Sequence, residues 1–157
     1  MSRAAYGSAV GMEASRLHDA RTPAQRAGDL AEEAVARTLA AAGWRILGRR
    51  VRVGRLELDI VAVDPGPPQV LAVVEVRWRR SRAFGLPEET ADRRKLGRLR
   101  RGAAGLASRG TLADGTRLPG LPLRLDLVAV EPGATAGRLR LRHHRGIGEA
   151  GGGGPLW

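Results

Sequence analysis

The sequence predicts an α/β fold: one mixed sheet flanked by helices, in the order helix, three strands, helix, strand (αβββαβ). Three observations predict it. Apolar residues recur at three- and four-residue intervals over about 23–42 and again over about 87–110, the period of a helix with one buried stripe. Between and after these stretches the period falls to two, in segments rich in Val, Leu and Ile. One of those segments, Val70 to Arg77, is apolar on both faces until Glu75, as a central buried strand should be.

The elements follow in chain order. Residues 1–21 mix small and charged residues without a sustained period and are expected to be disordered. Thr22-Pro23 supplies an N-cap followed by Pro at the first helical position. Ala27, Leu30, Ala31, Ala34, Val35, Thr38, Leu39 and Ala42 then form a stripe that stops at Gly43, a natural C-terminal cap. Trp44 to Leu47, Val51 to Val53 and, after a Gly54-Arg55 turn, Leu56 to Val63 read as a hairpin. Asp64-Pro-Gly-Pro-Pro68 is a turn, and Val70 to Arg77 is the third strand. Pro87 opens the second helix, whose stripe is Leu96, Leu99, Ala103 and Leu106 or Ala107 and whose end is near Gly110. Gly97, Gly102 and Gly105 each weaken that helix by about 1 kcal/mol. Leu123 to Val130 alternates as a fourth strand, and Arg138 to Arg142 is a candidate edge strand. The domain is expected to span 22–147, with 148–157 a flexible Gly-rich tail.

Composition narrows the chemistry. A chain of 157 residues fits one domain on the usual prior of roughly 100–200 residues. It has no Cys, which removes disulfides, zinc ribbons and cysteine nucleophiles. There is no phosphate-binding Gly-x-x-x-x-Gly-Lys loop and no Gly-x-Ser-x-Gly elbow. No apolar run approaches the roughly 18–20 residues that span a bilayer, and the N-terminus lacks a signal-peptide pattern, so a cytoplasmic protein with no membrane partner is expected. The net charge is +11, carried by 26 Arg and a single Lys, Lys95. The preference for Arg over Lys is what GC-rich coding produces, whereas the net excess predicts attraction to polyanions. Aromatic residues are limited to Tyr6, Trp44, Trp78, Phe84 and Trp157, too few for a base-stacking platform.

Acids in the wrong place point to a site. Glu57 and Asp59 interrupt one apolar strand, and Glu75 interrupts the most hydrophobic strand of the chain. Strand geometry places Glu57 with Asp59, and Glu75 with Arg77, on common faces. If the two strands are neighbours, an Asp and a Glu meet beside a cation. Burying an unpaired carboxylate costs several kcal/mol, so these positions need partners or a ligand. Two readings stand side by side: ion pairs with Arg77 or Arg79, with Glu57 on the solvent face of an edge strand, or a site for Mg²⁺, which takes hard oxygen ligands and keeps waters for a substrate phosphate. Arg79, Arg80 and Arg82 after the third strand, with Arg94 and Arg98 on the second helix, form a basic rim suited to phosphate contact. His143 and His144, adjacent on a strand, point to opposite faces and cannot readily chelate one ion; they read as surface residues.

Several spaced stretches carry a family resemblance: Ala31-Glu-Glu-Ala-Val-Ala-Arg-Thr-Leu39, Gly43-Trp-Arg-Ile-Leu47, Leu56-Glu-Leu-Asp-Ile-Val-Ala62, Val73-Val-Glu-Val-Arg-Trp-Arg79, Phe84-Gly-Leu-Pro-Glu88 and Arg124-Leu-Asp-Leu-Val-Ala-Val130. In order and spacing they resemble the YraN-type family of uncharacterised bacterial proteins. That family is similar to a minimal restriction-endonuclease-like fold of the PD-(D/E)XK superfamily, akin to archaeal Holliday junction resolvases. The resemblance implies that Asp59, Glu75 and the backbone carbonyl of Val76 hold a Mg²⁺ or Mn²⁺ ion. It implies further that Glu32 supports the ion directly or through water and that Glu57 is an accessory acid. Arg77 occupies the position where the superfamily pattern has Lys. A guanidinium keeps its proton at physiological pH, so Arg77 can orient water or stabilise charge but cannot shuttle a proton. Lys95 matches a Lys that recurs on the second helix of the family and is the candidate to supply what Arg77 cannot.

The resulting expectation is a metal-dependent endonuclease-like protein that acts on nucleic acid, DNA above all and branched DNA among its forms, with a homodimer suggested by related folds. Its competitor is a non-catalytic nucleic-acid-binding module that retains the fold, and a weaker third is a protein or membrane-adjacent adaptor.

Overall fold

A computed structural model describes residues 21–80 and 93–148. The expectations for the N-terminal segment, for the tail beyond 148, for Arg82 and for a helix start at Pro87 lie outside the described residues. Within them the chain runs α1 (Pro23–Ala41), β1 (Arg45–Val53), β2 (Leu56–Asp64), β3 (Val70–Trp78), α2 (Arg93–Arg109), β4 (Leu123–Pro132) and β5 (Leu139–His144). The five strands form one mixed sheet in the order β1-β2-β3-β4-β5. Only β3 and β4 are parallel, as the α2 crossover between them requires. The predicted αβββαβ arrangement is the one observed, and the edge strand is present.

Two apolar layers cover the sheet. Against α1, Ala31, Val35 and Leu39 pack on Trp44, Ile60, Ala62, Val74 and Val128. Against α2, Leu99, Ala103 and Leu106 pack on Leu58, Val61, Val73 and Leu127. Strand β3 is therefore buried on both faces, which is why its sequence shows no alternation. The α1 stripe is narrower than predicted: Ala36 is buried, whereas Leu30 is 64% exposed at the helix side. Thr22 caps α1 through a reciprocal bond pair with Gln25, and Gly43 leaves the helix at φ 89°. No helix among the described residues is long and apolar enough to cross a membrane.

The glycines that weaken α2 as an isolated helix have different reasons to be there. A Cβ on Gly102 would lie 2.9 Å from Leu58 Cδ2, and one on Gly105 would lie 2.9 Å from Val53 Cγ1. Both let the helix seat directly on β1 and β2, and the packing gained offsets the propensity lost. Gly102→Val is therefore expected to destabilise the protein by about 1–3 kcal/mol through overpacking against a fully buried Leu58. Urea denaturation measures it, and an unchanged midpoint would mean that α2 can lift off the sheet without penalty.

The hairpin is also more continuous than its sequence suggests. Strand β1 runs unbroken, with a register shift between Ile46 and Gly48 and with Arg50 at φ 50°. These irregularities fall where the alternating pattern is interrupted, and a bulge explains the interruption without a break in the strand.

Candidate functional site

The site begins where β2 and β3 part. They pair from Asp64 and Val70 to Ile60 and Val74, and there the ladder ends, although β2 stays paired with β1 as far as Leu56. The next residues beyond the fork are Asp59 on one strand and Glu75 on the other. The Asp59 carboxylate spans the opening and accepts the Val76 N–H at 2.7 Å. Leu58 belongs to the core under α2 and Ile60 to the core under α1, so strict alternation breaks at Asp59. That break is what releases the carboxylate from the ladder.

A cavity of about 380 Å³ opens at this fork, lined by Asp59, Glu75, Glu57, Lys95, Arg55 and Arg98 together with Leu56, Leu58 and Leu99. Glu75 is only 7% exposed, and the Lys95 ammonium contacts its Oε1. Lys95 reaches it from the first turn of α2. Burial, and then the negative charge of Glu75, push the Asp59 carboxyl up to about 7; the Val76 N–H and Lys95 oppose this, while Glu32 adds to it. Two carboxylates forced together raise the proton affinity of one of them, and a bound cation would relieve the same repulsion.

The predicted residues divide accordingly. Asp59, Glu75, Glu57 and Lys95 share the cavity. Glu57 is half-exposed and its carboxylate faces Arg52 Nε at 3.7 Å across the β1–β2 ladder. Glu32 lies close enough to act on Asp59, and it is held by Arg50, whose Nε donates to it at 2.9 Å while the rest of the guanidinium engages Asp29. Val76 enters through its backbone. Arg77 is partly buried, does not line the cavity, and its Nε has no hydrogen-bond partner among the described residues. The structural ion pair considered for the two acids is thus made to Glu75 by Lys95 and not by Arg77. Arg79 closes β3, donating its N–H to the Val130 carbonyl at 2.8 Å, and Arg80 is exposed just after it. Arg94 and Arg98 lie on α2 and line a second, basic groove with Arg93, Gly97 and Arg101.

Among the described residues no three His, Asp or Glu side chains converge as a ready metal cage. A pair of carboxylates at a water-accessible cavity nonetheless suits Mg²⁺, which is commonly held by one or two carboxylates and keeps several waters. The donor set therefore fits Mg²⁺ or Mn²⁺ and would not satisfy a structural Zn²⁺ site.

Sequence reasoning missed a second cluster on the α1 face of the sheet. Asp126, fully buried on β4, accepts two bonds from Arg124 at 2.8 Å each and one from the Gly146 N–H at 3.0 Å. His143 Nε2 stands 2.9 Å from its Oδ2. Arg124 also donates to Asp64 at 2.8 Å and, with Arg145, lies over the Trp44 ring. His143 is therefore no surface residue: β5 extends to His144 and pairs Val128 with His143, turning that ring toward Asp126 and Trp44. The signal that singled out Glu75, an acid inside an apolar strand, is equally present at Asp126.

The family model for the uncharacterised protein family UPF0102 matches residues 31–130. A UPF0102 protein of Symbiobacterium thermophilum is 43% identical over 118 residues, covering 75% of this chain and 92% of that protein. One from Moorella thermoacetica is 44% identical over 107 residues, 68% of this chain and 81% of the relative. Another, from Beutenbergia cavernae, is 40% identical over 122 residues, 77% and 94% of the two chains.

Proposed function

This chain belongs to the uncharacterised protein family UPF0102, the YraN-type family its motifs resemble, and we propose that it is a metal-dependent nuclease that hydrolyses phosphodiesters of DNA, structured or branched DNA included. The observation that carries the reading is the meeting of Asp59 and Glu75 at the fork between β2 and β3, in one cavity with Lys95. Asp59 and Glu75, with the Val76 carbonyl, would hold Mg²⁺ or Mn²⁺. The ion supplies Lewis acidity, lowering the pKa of a bound water and neutralising charge on the phosphate.

The chain's own groups do the rest. Lys95 sits on Glu75 and presents an ammonium to the cavity, where it stabilises charge that develops on the phosphoryl oxygens. Its ammonium is a compact point charge on a flexible stem, unlike the planar fork of the Arg77 guanidinium. Arg50 and Glu32 keep a second layer of charge behind Asp59. Arg98 at the cavity margin meets a neighbouring phosphate. A cytoplasmic setting belongs to the same reading, since that is where the nucleic acid is.

A second reading, a nucleic-acid-binding module without catalysis, is favoured by one observation: Arg77 stands in the superfamily's Lys position with an unpartnered Nε outside the cavity. Cleavage of linear, flap and four-way-junction DNA with Mg²⁺ or Mn²⁺ separates the two. Metal-dependent cutting by the wild type is expected, reduced by at least about 100-fold in Asp59→Ala and in Glu75→Ala. Cutting that persists in both variants removes the metal-site assignment, and salt-sensitive binding with no cutting by the wild type selects the module. Lys95→Arg keeps the charge and is expected to lose most activity; equal activity would show that the ammonium has no special chemistry.

A further inference from the structure

We infer that the groove along α2, with Gly97 in its lining and Arg98 shared with the carboxylate cavity, is the track for a nucleic-acid phosphodiester backbone, and that Arg55 meets the same backbone from the β1–β2 hairpin. The inference rests on the nuclease reading for its scissile phosphate and names how the polymer is held on either side of it.

Three observations carry it. The first is a division among the arginines. Arg21, Arg37, Arg50, Arg124 and Arg142 each have a carboxylate partner within the fold. Arg55, Arg93, Arg98 and Arg101 are exposed, and among the described residues no carboxylate pairs with them. Helix α2 contains no Asp or Glu at all, so its like charges repel at helical spacing with nothing inside the helix to offset them. Such a face is stabilised by an anion from outside.

The second is Gly97. Gly102 and Gly105 are explained by contact with the sheet, but a Cβ on Gly97 would meet only the Arg101 Nη1, at an ordinary 3.5 Å. Packing therefore gives no reason for a glycine that costs the helix about 1 kcal/mol. Gly97 lies among Arg93, Arg94, Arg98 and Arg101 in a groove of about 550 Å³. Without a side chain there, a phosphate can settle between the guanidinia. Arg98 lines this groove and the carboxylate cavity alike, which places the two side by side.

The third identifies the polyanion. Peripheral membrane binding by a basic helix needs apolar side chains beside the charges. The large hydrophobic residues that stand exposed among the described residues are Leu30 and Leu139, which line a separate groove with α1 and β5. A basic groove whose described lining carries no apolar anchor, beside a cavity that suits a metal and a phosphate, fits a nucleic-acid strand.

The test is equilibrium binding of fluorescent duplex, single-stranded and four-way-junction DNA by the full chain in EDTA, across a salt series, with thermal melting alongside. Gly97→Leu should bind about tenfold more weakly than wild type while melting at the same or a higher temperature, because Leu is the better helix former. Loss of binding and gain of helix stability in one variant is a result that misfolding cannot produce. Arg55→Ala, Arg98→Ala and Arg101→Ala should each reduce the slope of log K against log salt by about one. Wild-type affinity in Gly97→Leu, or unchanged slopes in the Arg variants, would overturn the track. Because these measurements exclude metal, they stand or fall apart from cleavage: a failed metal site leaves them intact, and a failed track leaves the dependence of cleavage on Asp59 and Glu75 intact.

Discussion

Asp126→Ala is expected to lose about 3–5 kcal/mol of folding stability, the cost of removing one partner from a buried charge network. The carboxylate is fully buried and satisfies Arg124, His143 and the Gly146 N–H together. Without it Asp64 is the carboxylate left to the Arg124 guanidinium, and the Gly146 amide loses its acceptor. Asp126→Asn preserves shape and should lose less. Burial alone would raise the Asp126 carboxyl, but its bonds to His143, Arg124 and Gly146 outweigh burial and hold it below the ordinary carboxylate range. A depressed folded value means that the stabilisation is present above the unfolded value near 3.9 and is lost as pH falls through the lower folded one. For Asp64 burial again pushes upward, but the Gly66 N–H, Arg124 and Arg145 outweigh it and hold the carboxyl below its ordinary range, so it contributes in the same window. Wild-type stability should therefore fall steeply below about pH 4, and the Asn variant should lack part of that slope. Urea titrations at several pH values measure both effects. Equal acid slopes in the two proteins would show that this network does not carry the pH dependence.

Asp59→Asn should do the opposite at the other end of the sheet: abolish cleavage and stabilise the metal-free protein at alkaline pH. Burial and Glu75 raise the Asp59 carboxyl to about 7, so the folded chain prefers it protonated. The linkage has the reverse sign. Its contribution is fully present below the unfolded value near 3.9 and is lost as pH rises through about 7. Asn mimics the protonated form and can still accept the Val76 N–H. In EDTA at pH 8 the variant should be more stable than wild type by about 1–3 kcal/mol, an advantage that shrinks toward pH 4. Saturating Mg²⁺ should narrow the difference by stabilising only the wild type. A variant no more stable than wild type at pH 8 would mean that Asp59 is not strained by its neighbours.

These two carboxylates differ in what made them visible. Asp59 and Glu75 stand out because acids rarely interrupt strands of Val, Leu and Ile, and the end of the β2–β3 ladder at Ile60 and Val74 places each within one residue of the fork. Asp126 interrupts Leu123–Val130 in the same way, yet its partners come from positions that no short-range pattern connects: Asp64, His143 and Gly146. Glu57 lines the same cavity as Asp59, but its carboxylate also faces Arg52, its register partner across the β1–β2 ladder.

By itself the sequence determined the elements, their order and the family. Periods of two and 3.6 residues, caps at Thr22 and Gly43, and turns at Gly54-Arg55 and Asp64–Pro68 are local properties that neighbouring residues specify. It also marked the acids that needed an explanation. Only the tertiary structure decided which cation answers which acid: Lys95 is brought to Glu75 by the α2 crossover, while Arg77, two residues from Glu75, stays apart. The same assembly gave Arg50, Arg124 and Arg142 carboxylate partners and left Arg55 and Arg98 at the rim of the cavity. The physical reason is that side-chain pairing depends on distance in space across strands and layers, whereas periodicity records only which face of its own element a residue occupies.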